Sequence, residues 1–156
     1  MSAIEIIRLN PHYLTSLTNF FAEIDSPKYT DFFSPHPFNA EYAKRVCDYE
    51  GKDLYYAILQ DRVKIIGYGM LRGWDEGHDI PSIGLCILSE YQGSGLGKLL
   101  LQFLEMAVRF NGCDKVMLKI KKNNTVAMGL YEKAKYSFKE YDEQFWVGFK
   151  NLPARN

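Results

Sequence analysis

A glycine-rich segment between an apolar run and a helical pattern is the feature that most limits how this chain can fold. Residues 92–98 read Gln-Gly-Ser-Gly-Leu-Gly-Lys; they follow the apolar run 83–88 and open the periodic segment 98–110. Glycine lets the backbone turn tightly and approach an anion closely. Free N–H groups and the positive dipole end of the following helix favour negative charge. The order of strand, glycine loop and helix therefore predicts a phosphate-binding site, against the alternative of an ordinary strand-to-helix turn.

Two common phosphate-binding motifs do not fit this loop. A P-loop would need glycine at position 92 and a hydroxyl residue at position 99, where this chain has glutamine and leucine. A dinucleotide fingerprint would place its third glycine at position 98 or 100, and neither is glycine. The pattern that remains is Gln-x-x-Gly-x-Gly, which Gln92, Gly95 and Gly97 satisfy.

A second motif follows at residues 124–133. Asn124, Ala127 and Tyr131 are spaced by three and four residues, which places them on one face of a helix, and Glu132-Lys133 comes next. Together, the two motifs resemble the GCN5-related N-acetyltransferase (GNAT) superfamily, whose glycine loop binds the pyrophosphate of acetyl-CoA. The resemblance covers residues 83–140. It departs from the family in glutamine rather than arginine at the head of the loop, and in Ser89 where proline is common.

Composition indicates a single folded domain over residues 1–156. Hydrophobic residues make up 47% of the chain and charged residues 24%, as in globular proteins. Nineteen basic residues balance nineteen acidic ones, which argues against nucleic acid as a partner. The densest basic cluster comprises Lys119, Lys121 and Lys122 on a predicted strand, and we interpret it as a solvated strand face.

Cysteine usage and hydropathy give further expectations. Three widely spaced cysteines form neither a disulfide framework nor a metal-binding pattern, so we expect no metal and a cytoplasmic location. The first nine residues lack the basic and apolar regions of a signal peptide, and no run is long enough to span a membrane. A homodimer is left open.

Periodicity predicts a mixed α/β (α+β) domain. A helix begins at Pro11 and ends before Ser26-Pro27, and further helices are predicted at 40–49, 98–110 and 124–133. Strands are predicted at 3–9, 54–59, 63–71, 83–88, 116–120, 138–141 and 145–149. The order is β-α-α-β-β-β-α-β-α-β-β. With the resemblance, it implies a GNAT-type, mostly antiparallel central sheet flanked by helices.

The resemblance also implies where acetyl-CoA binds. The pantetheine arm should insert between the strand that ends at Leu88 and the strand that begins at Val116, through backbone hydrogen bonds from Cys86 and Leu88. An N–H near Ile87 should face the thioester carbonyl. Asn124 should contact the cofactor, act as a helix N-cap, or both. The expected cofactor-binding residues are Cys86, Ile87, Leu88, Gln92, Gly93, Ser94, Gly95, Leu96, Gly97, Lys98 and Asn124.

The catalytic residues are predicted partly from the resemblance. Tyr131 matches the tyrosine that protonates the departing thiolate in the family; without that resemblance, a core tyrosine is the simpler interpretation. The general base is expected on the acidic loop, as Glu76 or His78, although a solvated loop explains these residues equally well. His36, between two prolines and among phenylalanines, is the second candidate for the base.

The acceptor site is expected between residues 29–38 and the loop 74–79. His36, Phe33, Trp74 and Asp75 are its candidate residues, and the acidic loop would attract a cationic amine. We expect acetyl transfer to a small-molecule primary amine such as an amino sugar or a polyamine. One alternative is a protein lysine or N-terminal acetyltransferase, and the other is a non-catalytic CoA-binding regulatory module.

Overall fold

A single seven-stranded sheet organises the chain in the computed structural model, which describes residues 2–153. The strand order is β1-β2-β3-β4-β5-β7-β6, and every neighbouring pair is antiparallel except β4 and β5. The strands are β1 (Ile4–Arg8), β2 (Leu54–Gln60), β3 (Lys64–Arg72), β4 (Ser82–Ile87), β5 (Lys115–Lys121), β6 (Ser137–Glu140) and β7 (Phe145–Asn151).

Five α-helices connect these strands: α1 (Leu14–Ile24), α2 (Pro27–Thr30), α3 (Ala40–Cys47), α4 (Leu96–Phe110) and α5 (Thr125–Lys133). Short 3₁₀ turns lie at Pro11–Tyr13, Trp74–Glu76 and Ser89–Tyr91. The predicted Asn124 cap is confirmed, and Asn39 caps α3 in the same way. The Asn39 side chain accepts a hydrogen bond from Tyr42 N–H at 2.8 Å, and the Asn124 side chain accepts one from Ala127 N–H at 3.2 Å. These bonds satisfy backbone donors that the first helical turn leaves free.

Helices cover both faces of the sheet, as successive side chains of β3, which point to opposite faces, make clear. The fully buried ring of Tyr68 contacts Phe20 and Phe21 of α1. The next residue, Gly69, faces the opposite side, where a β-carbon would lie 3.1 Å from Leu104 of α4. A side chain at position 69 would therefore require the leucine side chains of α4 to shift.

The fold class and the order of the long elements are confirmed, with one helix added. Ser26-Pro27 was expected only to end α1, but Pro27 also opens the short helix α2, since proline suits the first helical position. The same helix holds Tyr29, whose hydroxyl accepts the Ser89 N–H at 2.9 Å and so ties α2 to the end of β4. Helix α4 begins at Leu96, two residues before the predicted start.

The structure also describes the state of the cysteines and the character of the helices. Cys47, Cys86 and Cys113 are all free cysteines. Within residues 2–153, none of the helices combines the length and the apolar character that crossing a membrane requires.

Candidate active site

A gap between β4 and β5 is the main irregularity of the sheet. These two parallel strands share one backbone pair, Ser82 with Met117, and then diverge toward their carboxyl ends. Parallel neighbours normally continue an evenly spaced ladder. Beyond Ser82, the edge of β4 that faces β5 is therefore open for a ligand that supplies strand-like hydrogen bonds.

The residues whose backbone groups face this gap differ from those predicted. Leu88 N–H donates to Ile66 O of β3 at 3.0 Å, and Leu88 O accepts from Tyr91 N–H at 2.9 Å. Backbone direction alternates along a strand, so Cys86, which lies opposite Tyr68, also points toward β3. The prediction that Cys86 and Leu88 bond the pantetheine arm is wrong.

Leu85 and Ile87 have the opposite phase and direct their backbone groups into the gap. The Ile87 carbonyl supports this assignment, because it accepts a hydrogen bond from Gln92 Nε2 at 3.1 Å, outside the β3–β4 ladder. Gln92 therefore fixes the end of β4 relative to the glycine loop. The N–H groups of Leu85 and Ile87 remain directed at the space between the strands.

The glycine loop adopts backbone conformations that only glycine adopts easily. Gly93 and Gly95 have φ values of 79° and 91°. Gly95 is the N-cap of α4, and its carbonyl accepts the first intrahelical bond from Leu99 N–H at 3.0 Å. The preceding N–H groups, of residues 96–98, have no partner within the helix because of helix geometry. They form a donor cluster at the positive end of a 15-residue helix.

The side chains of the loop have distinct surroundings. The Ser94 hydroxyl donates to the Tyr91 carbonyl, which ties the loop to the preceding turn. Lys98 is exposed on the first turn of α4. Gly97 is half-buried, and a β-carbon there would be 3.6 Å from Leu130 and 3.9 Å from Ile87. Gly97 thus lies where α4 meets α5 beside the open end of β4.

Helix α5 carries the predicted acid, Tyr131, beside this junction. Its side chain is buried, and its ring packs edge-on against Tyr136 with centroids 5.4 Å apart. Burial raises the pKa of the Tyr131 phenol well above its ordinary value, so the hydroxyl keeps its proton. Tyr131 follows Leu130, the residue nearest Gly97, so the phenol belongs to the helix that borders the glycine loop.

A cavity of about 360 Å³ lies over the gap on the opposite face of the sheet. The β4 residue Gly84 faces Met70 and Phe33, which places the cavity on the side of the sheet that α1 covers. Three cations line the cavity and no carboxylate does. Its lining consists of Phe32, Phe33, Ser34, Pro35, Met70, Arg72, Ser82, Ile83, Gly84, Lys119, Lys121 and Phe145.

The acidic loop lies beside a second cavity of about 390 Å³. Glu76 and Asp75 line that cavity, which shares Arg72 with the first one. His78 Nε2 is 3.4 Å from Glu76 Oε2, and both side chains are largely exposed. Neither Glu76 nor His78 lines the cavity over the gap. As candidate bases they are adjacent to that cavity rather than part of its wall.

Asp75 and Asp53 hold the acidic loop in shape. The Asp75 carboxylate accepts from the N–H groups of Lys52, at 3.0 and 3.1 Å, and Asp53, at 3.3 Å. Asp53 Oδ1 in turn accepts from the N–H groups of Gly73, at 3.1 Å, and Trp74, at 3.0 Å. The two carboxylates satisfy backbone N–H donors of the loop, and this structural role explains where Asp53 and Asp75 lie without a ligand. Trp74 packs partly buried against the core and lies outside the lining of both cavities.

His36 is packed within the fold. Its ring stacks on Tyr42 with centroids 4.0 Å apart, and Nε2 is 2.9 Å from the Tyr68 hydroxyl. Burial is the main reason that its pKa falls to about 4. His36 is absent from the lining of both cavities. Of the four predicted acceptor residues, Phe33 is the one that lines the cavity over the gap.

Several residues of the candidate site were missed or misinterpreted in the sequence. Lys119 and Lys121 had been interpreted as a solvated strand face; Lys119 is exposed and Lys121 half-buried, and both also line the cavity. A spacing of two on a strand puts them on one face, which was a usable signal. Arg72 and Leu85 carried no such signal, because their positions depend on how β3, β4 and β5 meet.

Comparison with known proteins agrees with this geometry. A family model described as the acetyltransferase (GNAT) family matches residues 18–136. An acetyltransferase from Pectobacterium atrosepticum is 29% identical over 68 residues, or 44% of this chain; the chain spans about half, 48%, of the length of that curated relative.

Two solved structures illustrate the match in fold. The PaiA N-acetyltransferase of Thermoplasma acidophilum, solved in complex with coenzyme A, has a TM-score of 0.76 and 19% identity, over 96% of this chain and 99% of its own. The ribosomal-protein-S5-alanine acetyltransferase of Vibrio fischeri has a TM-score of 0.75 and 13% identity, over 97% and 96%.

Proposed function

The chain belongs to the acetyltransferase (GNAT) family, and from that premise we propose that it transfers an acetyl group from acetyl-CoA directly to the primary amine of a small molecule. The observation that carries the proposal is the divergence of β4 from β5 beside the glycine loop. On one face of the sheet, the gap is bordered by the N–H groups at the start of α4 and by α5, which carries the buried Tyr131. The cavity lies on the other face. An acetyl donor and an amine acceptor can therefore meet between the two strands.

The glycine loop suits the pyrophosphate of acetyl-CoA. The N–H groups of residues 96–98 and the dipole of α4 favour an anion. A β-carbon at Gly93 or Gly95 would meet no atom within 4 Å, so space is available beside the backbone for a ligand to approach. The remaining predicted loop contacts, from Ser94, Lys98 and Asn124, stay part of this proposal.

The gap itself suits the pantetheine arm and the thioester. Leu85 and Ile87 offer backbone groups to an extended amide chain, as an added strand would require. We assign the Ile87 N–H as the donor that stabilises negative charge on the thioester oxygen as the amine attacks. Gln92 Nε2 donates to the Ile87 carbonyl at 3.1 Å, which fixes the following peptide unit and so anchors the end of β4 that carries this N–H.

Tyr131 is the proposed general acid. As the carbon–sulfur bond of the thioester breaks, its hydroxyl donates a proton to the sulfur and coenzyme A leaves as the thiol. A phenol with a raised pKa is a weak acid, yet it is also protonated at every physiological pH. Its contribution therefore depends on a short hydrogen bond to the sulfur in the transition state.

The base is proposed on the acidic loop. Glu76 or His78 would take the ammonium proton through water, since both are exposed and neither lines the cavity over the gap. Glu76→Gln and His78→Ala should each be tested across the pH range. Loss of the true base should lower kcat at neutral pH and be partly offset at high pH, where more amine is neutral. Full activity of both variants at every pH would exclude this pair.

The cavity volume favours a small acceptor over a protein. About 360 Å³ lies within the range of sites that enclose small molecules, roughly 300–1,000 Å³. The relative from Vibrio fischeri is named for a protein substrate, ribosomal protein S5. For that reason, a protein lysine or N-terminus is the second candidate for the acceptor.

The test measures thiol release from acetyl-CoA with three groups of acceptors: small primary amines, lysine-containing peptides and peptides with free N-termini. Mass spectrometry of the products identifies the acetylated atom. We expect turnover with at least one small amine. Turnover confined to peptides would favour the second candidate. Tight binding of coenzyme A in calorimetry, with no turnover of any amine, would instead indicate a non-catalytic CoA-binding module.

A further inference from the structure

The cavity over the gap contains positive charge without a matching negative charge. Arg72, Lys119 and Lys121 line it, together with apolar side chains and the two hydroxyls of Ser34 and Ser82. This charge is the reverse of the acidic surface that the sequence predicted for the acceptor. Lys119 and Lys121 lie on β5 and Arg72 lies on β3, so cations from the two strands on either side of β4 meet at this cavity.

Local contacts hold each cation in place. Lys119 Nζ lies over the rings of Tyr141 and Phe145, 4.1 and 4.5 Å from their centres. Lys121 Nζ donates to the Asp31 carbonyl at 3.2 Å, at the end of α2. Rings and a carbonyl orient the two ammonium groups, but none of them carries a full negative charge.

Arg72 is held in the same way. Its Nη2 donates to the Pro35 carbonyl at 3.2 Å, and Pro35 belongs to the cavity wall. Within residues 2–153, none of the three cations takes part in an ion pair with a carboxylate. Lys122, the residue after β5, contrasts with them because its Nζ is 2.8 Å from Glu140 Oε1.

We propose that the acceptor carries an oxyanion, a carboxylate or a phosphate, beside its primary amine, and that Lys119, Lys121 and Arg72 bind it. This inference rests on the proposed acetyl transfer, since it names the class of acceptor for the same gap. The oxyanion supplies the negative charge that the cavity lacks. Arg and Lys are the side chains that bind carboxylates and phosphates with charge-assisted hydrogen bonds.

The cationic wall also acts on the amine. Neighbouring positive charges disfavour an ammonium ion and so lower the pKa of the bound amine. A larger fraction of the amine is then neutral and able to attack the thioester. The same charges oppose the binding of polyamines, which contain several ammonium groups and no oxyanion.

The experiment compares acceptors that differ in one anionic group. Phosphoethanolamine is paired with ethanolamine, and β-alanine with β-alaninamide, so the two pairs separate phosphate from carboxylate. We expect the anionic member of at least one pair to have a kcat/KM about 10–100-fold higher, the effect of one or two charged hydrogen bonds. Equal or higher kcat/KM for both neutral members would overturn the proposal.

Variants connect this preference to the cavity. Lys119→Gln combined with Lys121→Gln should remove most of the preference for the anionic member of each pair. Lys115→Gln is the control: it removes one positive charge from the same strand, at an exposed position outside the cavity lining. A preference that persists in the double variant would contradict the assignment.

A binding measurement keeps this inference separate from acetyl transfer. Inorganic phosphate and acetate are titrated into the full chain, and the amide signals of residues 119–121 are followed by NMR. We expect saturable shifts that the double variant loses and Lys115→Gln keeps. Absence of these shifts would overturn the oxyanion site whether or not amines are acetylated. Saturable shifts in a protein that turns over no amine would support the site and contradict the proposed transfer.

Discussion

Acid should destabilise this protein through His36, a histidine enclosed by aromatic rings. Its Nδ1 is 2.8 Å from the Pro37 carbonyl and its Nε2 is 2.9 Å from the Tyr68 hydroxyl. A carbonyl can only accept, so Nδ1 carries the proton and the neutral Nε2 accepts from Tyr68. Protonation of Nε2 would direct an N–H at the hydroxyl that now donates to this nitrogen. It would also place a positive charge among the surrounding aromatic rings. Burial and, to a lesser degree, Arg72 and Arg45 lower the pKa of His36 to about 4.

The sign and size of the effect follow from that pKa. The folded state binds the proton less tightly than the unfolded chain, whose histidine pKa is 6.5. The neutral ring therefore contributes its full stability above pH 6.5, and that contribution is lost as the pH falls toward 4. The two pKa values correspond to a difference of about 3 kcal/mol in the free energy of unfolding, of which about 2 kcal/mol is lost by pH 5.

Urea unfolding at pH 7.5 and pH 5.0 measures this effect in the wild type and in His36→Gln. Glutamine can still accept a hydrogen bond from Tyr68 but does not titrate. Between the two pH values, the unfolding free energy of the variant should therefore fall by about 2 kcal/mol less than that of the wild type. His12→Gln, at an exposed position, controls for the removal of an imidazole. If His36→Gln lost as much stability between the two pH values as the wild type does, the histidine would not be the group responsible.

Three further predictions concern the loop, the acid and the core. Gly95→Ala should lose about 1–2 kcal/mol of stability because its φ is 91°, and should weaken coenzyme A binding in calorimetry. Gly97→Ala, whose β-carbon would meet its nearest neighbour at 3.6 Å, should gain up to about 1 kcal/mol; equal losses in both variants would refute this contrast. Tyr131→Phe should lower kcat about 10²–10⁴-fold with little change in KM for acetyl-CoA, and a wild-type kcat would exclude the proposed acid. Glu105→Ala should lower the unfolding free energy by about 2 kcal/mol, since Glu105 accepts from the Lys150 ammonium at 3.0 Å and from a buried tyrosine hydroxyl; an unchanged urea midpoint would contradict this.

Local sequence determined the elements and the conformation of the glycine loop. Gly93 and Gly95 have positive φ values, which their residue type makes accessible, and the periodicity of the following segment requires a helix directly after them. Asn39 and Asn124 cap their helices through short-range hydrogen bonds. These features depend on residues within a few positions of one another, so patterns along the chain were sufficient to predict them.

The tertiary structure decided which atoms face the gap and what charge surrounds it. Leu88 donates to Ile66 of β3, and only that long-range pairing shows that Leu85 and Ile87, rather than Cys86 and Leu88, face β5. A shift of one residue reverses backbone direction, and apolar content does not reveal it. Arg72 comes from β3, and it meets the two lysines of β5 only because β4 lies between these strands and diverges from β5 beyond Ser82. The charge of the cavity over the gap is therefore set by strand order and strand divergence, which no local pattern encodes.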